Sequence, residues 1–229
     1  MKRRNNIIEY IKKSSEAINK KKRYFYIFGK IPVYLKEPLP KNIDLPLVLK
    51  KIEKVIPKKL TYNLEMIVIT HLEEFDRKNT NAVYRDEAIY VTNRQGNDRD
   101  LLDDIVHEIA HSVEGFAGNK IYGDGLIERE FIGKRKKLFD ISNQEGYDVP
   151  GRYFLELEYD EDFDKFLYKT IGYPLLTNLT MGLFSSPYAV TSIKEYFAQG
   201  FEEYFIGDRN YLKKISPSLY NKIEKYLDF

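Results

Sequence analysis

The strongest constraint on this chain is the stretch Leu-Leu-Asp-Asp-Ile-Val-His-Glu-Ile-Ala-His-Ser-Val at residues 101–113. On a helix at about 100° per residue, Leu101, Leu102, Ile105, Val106, Ile109 and Val113 share one sector. His107 and His111 stand one turn apart on the opposite side, with Glu108 at the edge of their sector. One face is built to be buried, and the other presents two imidazoles and a carboxylate. Two neutral imidazoles at this spacing suit Zn²⁺, which binds His nitrogen at about 2.0–2.1 Å. A carboxylate beside them can take a proton from a water activated there. The chain of 229 residues has only three histidines, and two of them are in this motif.

Composition narrows the alternatives. There is no Cys, which excludes disulfides, Cys-ligated zinc and a thiol nucleophile. The net charge of +2 does not mark the whole protein as a polyanion binder. No apolar run approaches the length of a membrane span. The first residues, MKRRNNIIEYIKK, carry the charge of a signal peptide's start without the apolar core that should follow. A cytoplasmic location is therefore the default expectation, with export or delivery by other routes left open.

Taken in order, residues 1–36 hold eleven of the 37 basic residues and two of the 35 acidic ones, Glu9 and Glu16. Ile7, Ile8, Ile11 and Ile18 give a partly amphipathic helix with a basic outer face, read as a solvated helix packed on the domain. Residues 24–28 and 31–35 read as strands around Gly29. Asp44 can cap a helix with Pro46 in its first turn, running to about Val55 with Leu45, Val48, Leu49 and Ile52 inward. Residues 64–70 read as a buried strand, and His71 behind it is left out of the site. Residues 81–84 and 87–92 form a hairpin around Arg85 and Asp86, with 81–84 as the candidate edge strand. Asn97 or Asp98 caps the motif helix, and Gly115 and Gly118 are expected to end it.

Residues 119–160, punctuated by Gly123, Gly125, Gly133, Gly146 and Gly151, read as loops with short elements and a basic cluster at Lys134–Lys137. They could form a lid or a peripheral excursion. Residues 163–171 read as helix and 174–187 as irregular. Residues 192–205 read as a helix with Ile193, Tyr196, Phe197, Phe201, Tyr204 and Phe205 on one face and Glu195, Gln199 and Glu202 on another. A final helix spans 217–227. The element order implies an α+β class, with the motif helix beneath a small twisted sheet.

A catalytic zinc takes three protein ligands and keeps one position open. With no further His downstream of His111, the third ligand must be a carboxylate. Glu195 is the best placed, near the start of a helix and on its polar face. Ser192-Ile193-Lys194-Glu195 is equally a capping box, in which Glu195 would serve the helix terminus instead. Glu114, Glu128, Glu145 and Glu202 remain as rivals.

His107-Glu108-Ile109-Ala110-His111, then Tyr188, then Glu195-Tyr196-Phe197-Ala198-Gln199-Gly200-Phe201 together resemble the zinc metallopeptidase family of the anthrax lethal factor catalytic domain. They also resemble the related clostridial Pro-Pro endopeptidases. That family carries H-E-x-x-H on one helix and a Glu ligand in an E-[FY]-F-A-E-x-F-like run on a second, with a Tyr seven residues before it. Here Tyr188 stands seven before Glu195. The run Ser216-Pro217-Ser218-Leu219-Tyr220 into a last helix is also similar. The resemblance spans about residues 60–229 in outline, and its specific part is the two helices and Tyr188.

The resemblance implies a gluzincin-like α+β fold. An upper lobe would hold the mixed sheet and the active-site helix, a mostly helical lower lobe would face it, and a cleft would run between them. The implied divisions are 1–40 (basic helix and first strand), 41–118 (upper lobe), 119–160 (insertion or loops) and 161–229 (lower lobe). His107, His111 and Glu195 would hold one Zn²⁺ per chain, Glu108 would act as general base and Tyr188 would donate to the oxyanion. The implied activity is hydrolysis of a protein or peptide substrate. Three features depart from the family. Gln199 replaces its second Glu, the span from His111 to Glu195 is longer than usual, and this sequence shows no toxin-type partner-binding domain, so a toxin role is not expected to carry over. Two other readings compete: a catalytically silent binding module on the same fold, and a basic-tailed nucleic-acid-associated protein, although nucleic acid is not the expected partner. The oligomeric state stays open.

Overall fold

The computed structural model describes residues 25–148 and 150–227. The expected basic N-terminal helix falls outside them. Strand β1 (Phe25–Ile27) turns through Phe28 and Gly29, both at positive φ, into β2 (Ile31–Leu35). Helix α1 (Leu45–Val55) starts as its sequence dictates, with the Asp44 carboxylate accepting the Leu47 N–H at 3.1 Å. Its Leu45, Val48, Leu49 and Ile52 are buried. Strand β3 (Met66–Ile69) is followed by a short helix α2 (Glu73–Lys78), then by β4 (Ala82–Arg85) and β5 (Ala88–Val91). The sheet order is β1-β2-β3-β5-β4. The central pairs β2/β3 and β3/β5 are parallel, and the two outer pairs are antiparallel. The result is a mixed five-stranded sheet in an α+β protein, with β4 on an edge.

The β4–β5 turn falls one residue later than expected. Arg85 pairs with Ala88, and Asp86 and Glu87 make the turn at φ 50° and 60°. A type I′ two-residue hairpin, whose twist matches that of the strands, needs positive φ at both centres. The chain meets that need here without glycine.

Helix α3 (Asp98–Tyr122) carries the motif. The Asn97 side chain caps it, accepting from Arg99 N–H at 2.7 Å and Asp100 N–H at 3.1 Å. The expected apolar face is buried throughout, with Leu101, Ile105, Val106 and Ile109 at 0 % exposure. The helix does not stop at Gly115 or Gly118, which corrects the expectation. Neither glycine takes positive φ. Each costs a helix interior about 1 kcal/mol relative to Ala. The buried row Ile109, Val113, Ala117, Ile121 continues through them. Burying an Ile side chain contributes about 1.5–3 kcal/mol, so the row outweighs the glycines.

The expected loop region at 119–160 contains a second long helix, α4 (Leu126–Gln144). Its Ile127, Phe131 and Leu138 are fully buried. The basic cluster is divided between two environments. Lys134 and Arg135 point into the core, whereas Lys136 and Lys137 are exposed. Beyond a 3₁₀ turn (Gly151–Phe154), helix α5 (Glu161–Lys165) continues as one π-helical stretch to Ile171. The segment expected to be irregular begins with a helix, α6 (Tyr173–Thr180), because Pro174 sits in its first turn, where a missing N–H costs nothing. A 3₁₀ turn (Tyr188–Val190) leads into α7 (Ile193–Ile206), followed by α8 (Arg209–Ile215) and α9 (Pro217–Leu227). Helix α7 packs along α3, and α4 and α9 pack together. Most of the buried apolar side chains among the described residues form one contiguous core, and Val68, Phe75 and Ala88 are buried outside it. No helix among the described residues is long and apolar enough to cross a membrane.

Candidate metal centre

Two helices far apart in sequence build the site. Helix α3 supplies His107, Glu108 and His111, and α7, packed along it, supplies Glu195. One donor atom from each of His107, His111 and Glu195 lies within 4.8 Å of the other two. His107 Nε2 stands 3.0 Å from one Glu195 oxygen, and His111 Nε2 stands 3.6 Å from the other. Ser192 caps α7 by accepting the Glu195 N–H at 3.1 Å. The two readings of Ser192–Glu195 are thus divided between atoms. The backbone of Glu195 serves the cap, and its carboxylate faces the imidazoles.

The far nitrogen of each imidazole is also occupied. His111 Nδ1 meets Glu114 at 2.8 Å, and Tyr122 donates its hydroxyl to the other Glu114 oxygen. His107 Nδ1 lies 3.2 Å from the Gln199 amide and 3.5 Å from Glu202. Partners on Nδ1 orient the ring and leave Nε2 to face a ligand. Glu202 therefore supplies a carboxylate near the ring that Gln199, as an amide, cannot charge. Of the rival ligands, Glu114 and Glu202 stand behind the imidazoles, and Glu128 and Glu145 are exposed on α4 and at its end. The backing roles were legible only as spacing: Glu114 is three residues after His111, and Glu202 shares a helical face with Glu195 and Gln199.

Electrostatics follow from this packing. Burial disfavours a charged His107, but its bonds to Glu195 and Glu202 outweigh burial and raise its pKa to about 9. Burial likewise opposes a charged His111, and Glu114 and Glu195 raise it to about 10. Burial pushes Glu195 up, yet the two imidazoles hold it down at about 2. Glu108, only 6 % exposed, is raised by burial against the lowering effect of both histidines. Its Oε2 accepts the Tyr84 N–H of the edge strand β4 at 2.6 Å, so the sheet fixes this carboxylate beside the cluster.

Tyr188 opens the 3₁₀ turn before α7 and is 37 % exposed. Partial withdrawal of its phenol from water, and then the nearby Glu195 and Asp164 carboxylates, push its ionisation upward. The phenol thus stays protonated and lies within electrostatic reach of Glu195. His71 stands apart, as expected, held by Asp76 at 2.8 Å and Thr92 at 3.2 Å. Two surface hollows of about 350 Å³ lie around Lys30 and Tyr62, and none of the cluster's residues lines them.

Comparison with family models, curated proteins and solved structures returns no match to this chain.

Proposed function

We propose that this chain is a zinc-dependent endopeptidase of gluzincin type, with His107, His111 and Glu195 as metal ligands. The observation that carries the reading is the convergence of two Nε2 atoms and a carboxylate beside a second, strand-anchored carboxylate. The donor set fits the ion. Zinc bonds of about 2.0–2.2 Å in a tetrahedron place neighbouring donors about 3.3–3.5 Å apart; each imidazole Nε2 has one of the two Glu195 oxygens near that spacing, at 3.0 and 3.6 Å, and one donor atom from each residue lies within 4.8 Å of the others. Zinc held there would supply Lewis acidity to the scissile carbonyl and to the attacking water.

The chain's own groups account for the remaining roles. Glu108 accepts the water's proton and passes it to the leaving amine, a role suited to a carboxyl raised by burial. Tyr188 donates its hydroxyl to the oxygen on which charge develops. The edge strand β4 orients the base through Tyr84 before it offers anything to an extended peptide. Retention of Glu108 beside a complete ligand set weighs against a silent binding module. The test is to incubate the zinc-loaded protein with proteome-derived peptides and read new termini, with Glu108→Gln as the blank. New termini in the wild-type sample alone support the reading, and none in either sample would reject it.

Metal titration gives an independent check. At pH 7.5 the raised imidazole pKa values mean that both rings hold protons in the metal-free protein, whereas ligation needs both neutral. Uptake of one zinc per chain is therefore expected to displace the ring protons, about two in all besides any that a zinc-bound water gives up, and this ring contribution falls towards none as the pH rises past about 10. Calorimetry in buffers of different ionisation enthalpy reads this number directly. Glu114→Ala and Glu202→Ala are each expected to weaken zinc binding by about 10–100-fold. A pH-independent affinity would contradict the ligand assignment.

A further inference from the structure

Arg135 is fully buried, at 0 % exposure. It gives its donors to main-chain carbonyls rather than to a carboxylate. Nε and Nη2 both reach Val190 O, at 2.8 and 2.6 Å, and Nη2 also reaches Thr191 O at 2.8 Å. Nη1 donates to Tyr153 O at 2.9 Å and to Glu156 O. The rings of Phe131 and Phe163 cover the guanidinium, with centroids 4.7 and 4.8 Å away. Four carbonyls from two segments therefore meet one rigid fork of donors.

Those segments meet at the start of the helix that carries Glu195. Val190 and Thr191 end the turn that Tyr188 begins, and Thr191 bonds back to Tyr188 O through its N–H at 3.0 Å and its hydroxyl at 2.9 Å. Ser192, the next residue, caps the helix of Glu195. On the other side, the loop held at Tyr153 and Glu156 continues to Leu157, whose carbonyl accepts the Ile193 N–H at 2.8 Å. Arg135 lies on α4, in the region of the sequence that departs in length from the family pattern.

We propose that Arg135 is a positioning residue: its guanidinium locks the turn that aims Tyr188. What Arg135 holds follows from the geometry, and what Tyr188 then does rests on the peptidase reading. Only Arg has the planar five-donor fork that this set of acceptors requires. Lys offers a single ammonium and cannot reach both segments with the same geometry.

The experiment uses the full chain with zinc bound and a peptide identified by the profiling above. Arg135→Lys is expected to lower kcat by about 10-fold or more, with KM within about twofold and one zinc retained. In a Tyr188→Phe background the same substitution should change kcat by less than about twofold, because both changes act through one hydroxyl. A merely structural Arg135 would give losses that multiply, and that result overturns the proposal. Hydrogen exchange supplies a readout independent of turnover. The amides of Val190 and Thr191 should exchange about 10-fold faster or more in Arg135→Lys, with those of Ile105 and Ile109 unchanged. Equal acceleration in both places also overturns the proposal. Local acceleration in a protein that cleaves nothing would sink the peptidase reading and leave the clamp standing. Should Arg135→Lys fail to fold, Phe163→Leu loosens one face of the guanidinium with every donor kept. The same local exchange pattern is then expected, and its absence counts against the clamp.

Discussion

Glu108→Gln is expected to abolish peptide hydrolysis in practice, lowering kcat by about 10²–10⁴-fold, with zinc content and fold unchanged. The substitution keeps the size of the side chain, and the amide oxygen can still accept the Tyr84 N–H that anchors Glu108 to β4. What it removes is the ability to take up a proton. Because Glu108 lies outside the candidate ligand triad, the metal should remain. Elemental analysis beside steady-state kinetics on one peptide separates the two effects. Full turnover in the Gln variant would remove Glu108 from the mechanism. Loss of zinc would move it into the ligand set and reopen the role of Glu195.

The elements built from local signals were the ones legible in the sequence. The apolar stripe of α3, the Asn97, Asp44 and Ser192 caps, and the β4–β5 hairpin all rest on contacts within a few residues, and all lie close to where their residues imply. The failures came from contacts distant in sequence. Gly115 and Gly118 carry the local signature of a helix end, yet the buried row to Ile121 carries α3 past them. Gly133 likewise sits within α4, whose Phe131 packs against Phe184 and Tyr196 and whose Arg135 reaches Val190 and Thr191, all far along the chain. The basic cluster at 134–137 carries no local sign of which side chains are buried, and nothing near Arg135 in sequence reveals that four carbonyls await it. At the candidate metal centre, helical geometry alone placed His107 and His111 together with Glu108 at the edge of their sector. The third ligand stayed open until the resemblance pointed to Glu195, and in the structure that carboxylate faces both imidazoles. Glu202 was legible as a neighbour of Glu195 on one face, but its place behind His107 depends on how α7 lies along α3.

Tyr188→Phe is expected to lower kcat by about 10²–10³-fold, the usual consequence of losing one oxyanion donor, equivalent to roughly 2.7–4 kcal/mol. The variant keeps the ring and removes only the hydroxyl. Folding should be indifferent to it, since 37 % of the residue is exposed and the turn is held through backbone atoms at Tyr188 O and Val190 O. The phenol can donate at any ordinary pH, because withdrawal from water and the Glu195 carboxylate both resist its ionisation. In the proposed role its contribution would grow only as charge accumulates on the reacting oxygen, and it would act on the transition state more than on substrate binding. KM should therefore change little, and zinc should remain at one per chain. The chain contains 19 tyrosines, most of which must serve packing or surface. If Tyr188 is one of those, the Phe variant will turn over at nearly the wild-type rate. The oxyanion would then need another donor, and the Arg135 clamp would be left aiming a side chain without chemical work.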